Sequence, residues 1–159
     1  DKYSIHYDKL NHRMVFDIHD SSGYIVGHCA KKLPGSPYAG PKVINYFEVQ
    51  SSNMAYVPCI DNNKRSDTVI LVEDMLSAYK INSIGYNAIC LLGTNILNKE
   101  VTEISMQHKN AIIMLDPDAI NKAISIKNKY GLYIHMDVVQ LDRDPKDTDK
   151  DILLEVLKR

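Results

Sequence analysis

The sequence predicts an α/β protein: a mostly parallel sheet flanked by helices in its second half, preceded by a smaller β-rich unit. Three observations predict this. From residue 67 onward, short apolar runs alternate with helix-length segments, which is the pattern of βαβ units. Before residue 66, short strand-like runs are separated by turns bearing Gly and Pro. In the second half, apolar runs stop abruptly on carboxylates, as expected where strand ends form the rim at which open α/β sheets bind ligands.

The elements follow in order. Met14–His19 and Tyr24–His28 flank Asp20-Ser21-Ser22-Gly23, a hairpin turn. A loop with Pro34, Gly35, Pro37, Gly40 and Pro41 leads to a short strand over 43–47, and Asn62–Asp67 is a polar connector. The division falls there, giving 1–66 as a small basic β-rich unit and 67–159 as the α/β unit. The latter reads as strand 69–73, helix 74–82, strand 86–92, helix 99–108, strand 111–116, helix 119–130, strand 132–140 and a helix from about 148. Ile120, Ala123, Ile124 and Lys127 are expected to form the apolar stripe of the third helix, and Gly85 to stop the first.

Composition bounds the function. The 159 residues suit one domain with a small appendage, and a formal net charge of −1 excludes a generally basic nucleic-acid coat while leaving room for a local basic track. Cys29, Cys59 and Cys90 are odd in number and widely spaced, which argues against a disulfide framework or zinc site and for a reducing, cytoplasmic setting. No segment is long enough to span a membrane, no signal peptide is visible, and an opening at Asp1 instead of Met is expected of a fragment or processed chain. The six histidines lack metal-ligand spacing; His19 and His28 are expected at surface or packing positions.

The chemistry is expected at the strand ends. Glu73 closes Val69–Val72, and Asp116 and Asp118 close Ala111–Leu115. Carboxylates gathered on one rim repel one another unless a cation sits among them, and a few hard oxygen donors suit Mg²⁺, which takes much of its shell from water and substrate phosphate. Each acid also has a structural explanation. Asp118 and Asp74 both stand at helix entrances and are candidates for N-caps, a role expected of Asp74 in particular. The acids of Leu141–Asp147 follow the fourth strand and reach the same rim or form a solvated loop, and Gly93-Thr94 offers close backbone approach to a phosphate.

Together, Leu71-Val72-Glu73, Leu91-Leu92-Gly93-Thr94, Leu115-Asp116-Pro117-Asp118-Ala119 and Asp144-Pro145-Lys146-Asp147 resemble, in order and strand context, the motifs of the Toprim domain. The version most similar is that of bacterial replicative primases and phage primase–helicases. Arg13–Gly27, with Lys31 and Pro41-Lys42 after it, resembles the hairpin and basic residues that open the primase polymerase core. The resemblance covers about residues 12–152. It implies a Rossmann-like Toprim fold and metal-dependent synthesis of RNA primers on single-stranded DNA from ribonucleoside triphosphates. It also implies Mg²⁺ (or Mn²⁺) held by Glu73, Asp116 and Asp118, with Asp144 and Asp147 as further ligands. Lys31, Lys42, Gly93 and Thr94 would contact template or nucleotide, Tyr38 and Tyr46 could stack on bases, and a replicative helicase is the implied partner. The implied location is the cytoplasm, the host's if phage-encoded.

The chain also departs from that pattern. Asp74 replaces the usual Gly, Ser77 an acid, and Ile120 a Gly, and no second lysine appears near 48–53. Neither a zinc motif nor a P-loop lies within these residues, so template selection and helicase activity are not expected of them. Two other classes stay open: a Toprim nuclease or strand-passing enzyme, and a non-catalytic nucleic-acid or replisome-binding module. Lys32, Lys64 and Arg65 extend the basic track or are simply solvated.

Overall fold

The structure, a computed structural model, describes residues 5–48, 54–57 and 67–158. The first strands are β1 (Ile5–Asp8), β2 (Arg13–His19), β3 (Ile25–Lys32), β4 (Val43–Phe47) and β5 (Ala55–Tyr56). After them come β6 (Thr68–Val72), α1 (Met75–Ser83), β7 (Asn87–Cys90), α2 (Asn98–Gln107), β8 (Asn110–Ile113), α3 (Ile120–Tyr130), β9 (His135–Val138) and α4 (Lys150–Leu157). Two 3₁₀ turns, Pro117–Ala119 and Pro145–Asp147, follow β8 and β9. All strands join one sheet in the order β4-β3-β2-β5-β7-β6-β8-β9, with β1 paired to β2.

The sheet changes character along its width. The pairs β1–β2, β2–β3, β3–β4, β2–β5 and β5–β7 are antiparallel, whereas β7–β6, β6–β8 and β8–β9 are parallel. The parallel half is the βαβ unit expected from alternating strand and helix segments. Its central strand is apolar on both faces because both are covered. Ile70 and Val72 of β6 pack with Met75, Ala78 and Ile81 of α1 and Leu153 of α4. Val69 and Leu71 pack on the opposite side with Val101 and Ile104 of α2 and Ala123, Ile126 and Tyr130 of α3.

Several sequence expectations are corrected. β1 and β5 were not anticipated; a strand of two residues, like β5, carries too little periodicity to be read. β3 runs on to Lys32, placing Lys31 inside the sheet, and β9 is shorter than 132–140. The buried stripe of α3 is Ala123, Ile126 and Tyr130, while Ile124 faces solvent, because the 3₁₀ turn before the helix sets its phase. Gly85 does stop α1: its φ is +92°, and its N–H bonds to Asn82 O at 2.9 Å. Of the connector 62–67, only Asp67 falls among the described residues; Lys64, Arg65 and Cys59 lie outside them.

Candidate active site

The rim is built by the register of three parallel strands. Val72 pairs with Cys90 and Leu71 with Ile113. Beyond the strands the backbone stays tied: Leu91 N–H donates to Val72 O at 2.8 Å, Met114 N–H to Leu71 O at 2.8 Å and Gly93 N–H to Glu73 O at 3.1 Å. Glu73, Gly93 and the segment leading to Asp116 therefore leave the sheet at the same edge. Gly93 has φ +149° with open space where a Cβ would project, and Thr94 lies half-buried beside it.

Carboxylates converge here. Glu73 is held above its ordinary range by partial burial and by the charges of Asp116, Asp118, Asp74 and Asp144. Asp116 is pushed up to about 6 by burial, despite the opposing Lys146 ammonium, and by Asp144 and Asp74. Its Oδ1 is buried and has no hydrogen-bond partner. A buried carboxylate oxygen with no partner is a feature that a bound cation would satisfy. Asp118 is exposed in the 3₁₀ turn, and neither that turn nor α3 has a side-chain cap, so its alternative reading as an N-cap is not realised.

Asp74 divides its two oxygens between roles. Oδ1 accepts from Leu76 N–H at 2.8 Å and Ser77 N–H at 3.1 Å, capping α1 as the sequence suggested. Oδ2 accepts from Lys146 Nζ at 2.8 Å and lies 4.0 Å from Lys31 Nζ. Although burial opposes ionisation, these partners hold its carboxyl below the usual range. Lys146 also donates to Asp144 and stands 3.9 Å from Asp116 Oδ2. Burial would lower its pKa, but its bonds to Asp144 and Asp74 raise it.

The remaining candidates divide by position. Lys31 projects from β3 to the acidic rim, whereas Lys42 is exposed on the loop before β4, joined to β3 by its carbonyl accepting from Lys32 N–H at 2.8 Å. Arg13 is buried and anchors that loop, donating from Nη1 to Ala30 O at 3.3 Å and from Nη2 to Pro41 O at 2.9 Å. Asp147 is exposed and lines a separate groove with Asp142, Arg143, Thr148 and Ile152 beside α4. Tyr38 and Tyr46 are exposed, with Tyr38 against the His12 ring. His28 bonds Asp17 at 3.0 Å and so satisfies a buried carboxylate on the hairpin. Buried Cys29 and Cys90 have thiol pKa values raised by desolvation, which leaves them poor nucleophiles.

Lys146 is the residue that sequence reasoning passed over. Its signal was present as a lone ammonium after Pro145 in a loop crowded with Asp142, Asp144, Asp147 and Asp149. Among the described residues, no three acidic, histidine or cysteine side chains close into a ready-made metal shell. The oxygen donors still fit a hard cation, as the orphaned Asp116 oxygen indicates, but as separate contacts that leave room for water and phosphate.

No family model matches the chain. In sequence it is 25% identical over 147 residues to a DNA primase of Staphylococcus aureus strain COL, an alignment covering 86% of the chain and 24% of that protein. A DNA primase of Legionella pneumophila is 27% identical over 122 residues, covering 73% of the chain and 21% of that protein. The chain thus spans about a quarter of the length of the curated relatives it matches. The Aquifex aeolicus primase zinc-binding and RNA polymerase domains superpose with a TM-score of 0.73 at 24% identity, over 93% of this chain and 39% of that one. A DnaG primase catalytic domain bound to single-stranded DNA gives 0.73 at 17% identity, over 97% and 54%. The resemblance drawn from the motifs is borne out: the chain is similar in sequence to DNA primases and has the fold of the primase catalytic core.

Proposed function

We propose that this chain is the catalytic core of a DNA primase, joining ribonucleotides into an RNA primer on a single-stranded DNA template. The observation that supports the reading most is the convergence of Glu73, Asp116, Asp118 and Asp144 on one rim, with a buried Asp116 oxygen unpartnered. Relatives named DNA primase and a similar catalytic domain bound to single-stranded DNA support it independently. The proposed division of labour keeps the boundary near residue 66, with 1–66 presenting basic residues to nucleic acid and 67–159 carrying the acids.

Glu73, Asp116 and Asp118 would hold Mg²⁺ or Mn²⁺, which when bound neutralises phosphate charge and favours ionisation of an attacking hydroxyl. Asp144 is placed to add charge from the adjacent loop, and Asp147 lies to one side. Lys31 presents an ammonium to an incoming triphosphate, and Lys42 contacts the template backbone, a contact that positions without reading sequence. Gly93, with nothing above its α-carbon, lets a phosphate approach the backbone, and Thr94 can donate its hydroxyl. Binding of ribonucleoside triphosphates, a replicative helicase partner and a cytoplasmic location belong to the same proposal. No helix among the described residues is long and apolar enough to cross a membrane.

The test is extension of an oligoribonucleotide pre-annealed to DNA, with ribonucleotides and Mg²⁺ or Mn²⁺. Metal-dependent extension that Asp116→Asn abolishes is expected; metal-dependent shortening of the strand would move the assignment to a nuclease. A non-catalytic binding module is the second reading, favoured by the ammonium of Lys146 lying among the acids. Single-strand binding unaffected by EDTA, without extension, would establish it.

A further inference from the structure

We infer that Lys146 is a built-in cation that fills the Asp74–Asp116–Asp144 side of the rim, so that this site takes a single divalent ion, at Glu73, Asp116 and Asp118. This deepens the metal-site reading above and rests on it.

The geometry is unlike an ordinary surface ion pair. One ammonium stands 2.8 Å from Asp74, 3.9 Å from Asp116 and in hydrogen-bond contact with Asp144, while its side chain is 19% exposed. Surface pairs usually pay side-chain entropy for little gain. Here the backbone is fixed beforehand. Pro145 is buried, Asp147 N–H bonds to Asp144 O at 2.9 Å, and Thr148 Oγ1 donates to Asp144 O at 3.0 Å. Asp74 is fixed from the other side, since its first oxygen is committed to the helix cap and only the second faces Lys146.

A divalent ion on that side would have to displace the ammonium or sit against it, and a like charge at such range is strongly unfavourable in a partly dehydrated site. The other side differs. Asp118 is exposed, Glu73 is half-buried, and the free Asp116 Oδ1 is not the oxygen nearest Lys146. Asp116 therefore has one oxygen beside the fixed ammonium and one left without a partner, which the exchangeable ion would take.

The test is Mn²⁺ binding to the metal-stripped chain, read from loss of the free-ion electron paramagnetic resonance signal. The inference predicts one ion per chain for the parent and for Lys146→Arg, and two for Lys146→Gln. Two ions in the parent, or one in both the parent and Lys146→Gln, overturns it while leaving the metal-site reading intact. No binding in the parent overturns the inference and the metal-site reading together, whether or not Lys146→Gln binds. Circular dichroism and melting in EDTA check that each variant folds. The unaltered chain gives a second readout, the ¹⁵N resonance of the Lys146 ammonium. It is expected to stay hydrogen-bonded at saturating Mg²⁺, and its release by the ion would contradict the inference.

Discussion

Above about pH 6 the Asp116 carboxyl ionises into a rim already crowded with negative charge. Its folded pKa exceeds the ordinary 3.8, so between about 4 and 6 the folded state binds more protons than the unfolded one. By linkage, this group makes the metal-free protein less stable as pH rises through that window. Asp74, whose folded pKa is depressed, acts oppositely: its contribution is present above 3.8 and lost as pH falls through its lower folded value. Melting curves in EDTA should fall between pH 4 and 6, and Asp116→Asn should flatten that fall. At neutral pH the same substitution should raise metal-free stability by about 1 kcal/mol after allowance for solvent screening. That corresponds to ~2–4 °C. Asp74→Ala should lose cap and ion pairs together, lowering stability by about 1–2 kcal/mol in thermal or urea melts, while Asp74→Asn keeps most of the cap. The place of Glu73 and Asp116 at the rim was legible because an apolar strand that ends on an acid needs no loop geometry to be read. The opposite facing of Lys146 and Asp147 was not: a 3₁₀ turn rotates successive side chains by about a third of a circle, so Lys146 faces the acids and Asp147 solvent. No hydrophobic period marks which.

At the scale of elements, strands buried on both faces were the easiest to recognise, β6 above all, since helices on both sides demand an unbroken apolar run. The edge of the antiparallel half is held by close approach instead. A Cβ added at Gly27 would lie 2.1 Å from Tyr46 O, so β4 can pair with β3 only over a bare α-carbon. Gly27→Ala should displace β4 at a cost of about 1–3 kcal/mol, the usual range for overpacking. Hydrogen exchange at residues 43–47 should then speed selectively. Nothing in a lone Gly within a strand pattern told which neighbour approached it. The loop before β4 has its own anchor in Arg13, whose two carbonyl contacts were invisible in sequence because they span the hairpin.

At the scale of the molecule, one sheet carries both halves, joined where β5 pairs with β2 and β7, and it lets Lys31 of β3 reach the acids beyond β6. The motif order made the fold readable; the joining strand did not, being too short. If the basic residues track a nucleic-acid backbone, single-strand affinity should fall with salt. Lys42→Ala should then reduce the slope of log K against log salt by about 0.7, one released counterion on a single strand. Fluorescence anisotropy over a salt series would measure it, and an unchanged slope would remove Lys42 from the track. The proposed activity of this rim is the building of RNA copied from DNA. It is tested most directly by pre-annealing an oligoribonucleotide to DNA templates that differ only in the first unpaired base, and identifying the ribonucleotide added with Mg²⁺ or Mn²⁺ present. The account predicts addition of the complementary ribonucleotide on each template, abolished by EDTA and by Asp116→Asn. Addition independent of the template base, or no addition by a folded chain that still binds the duplex end, would contradict it.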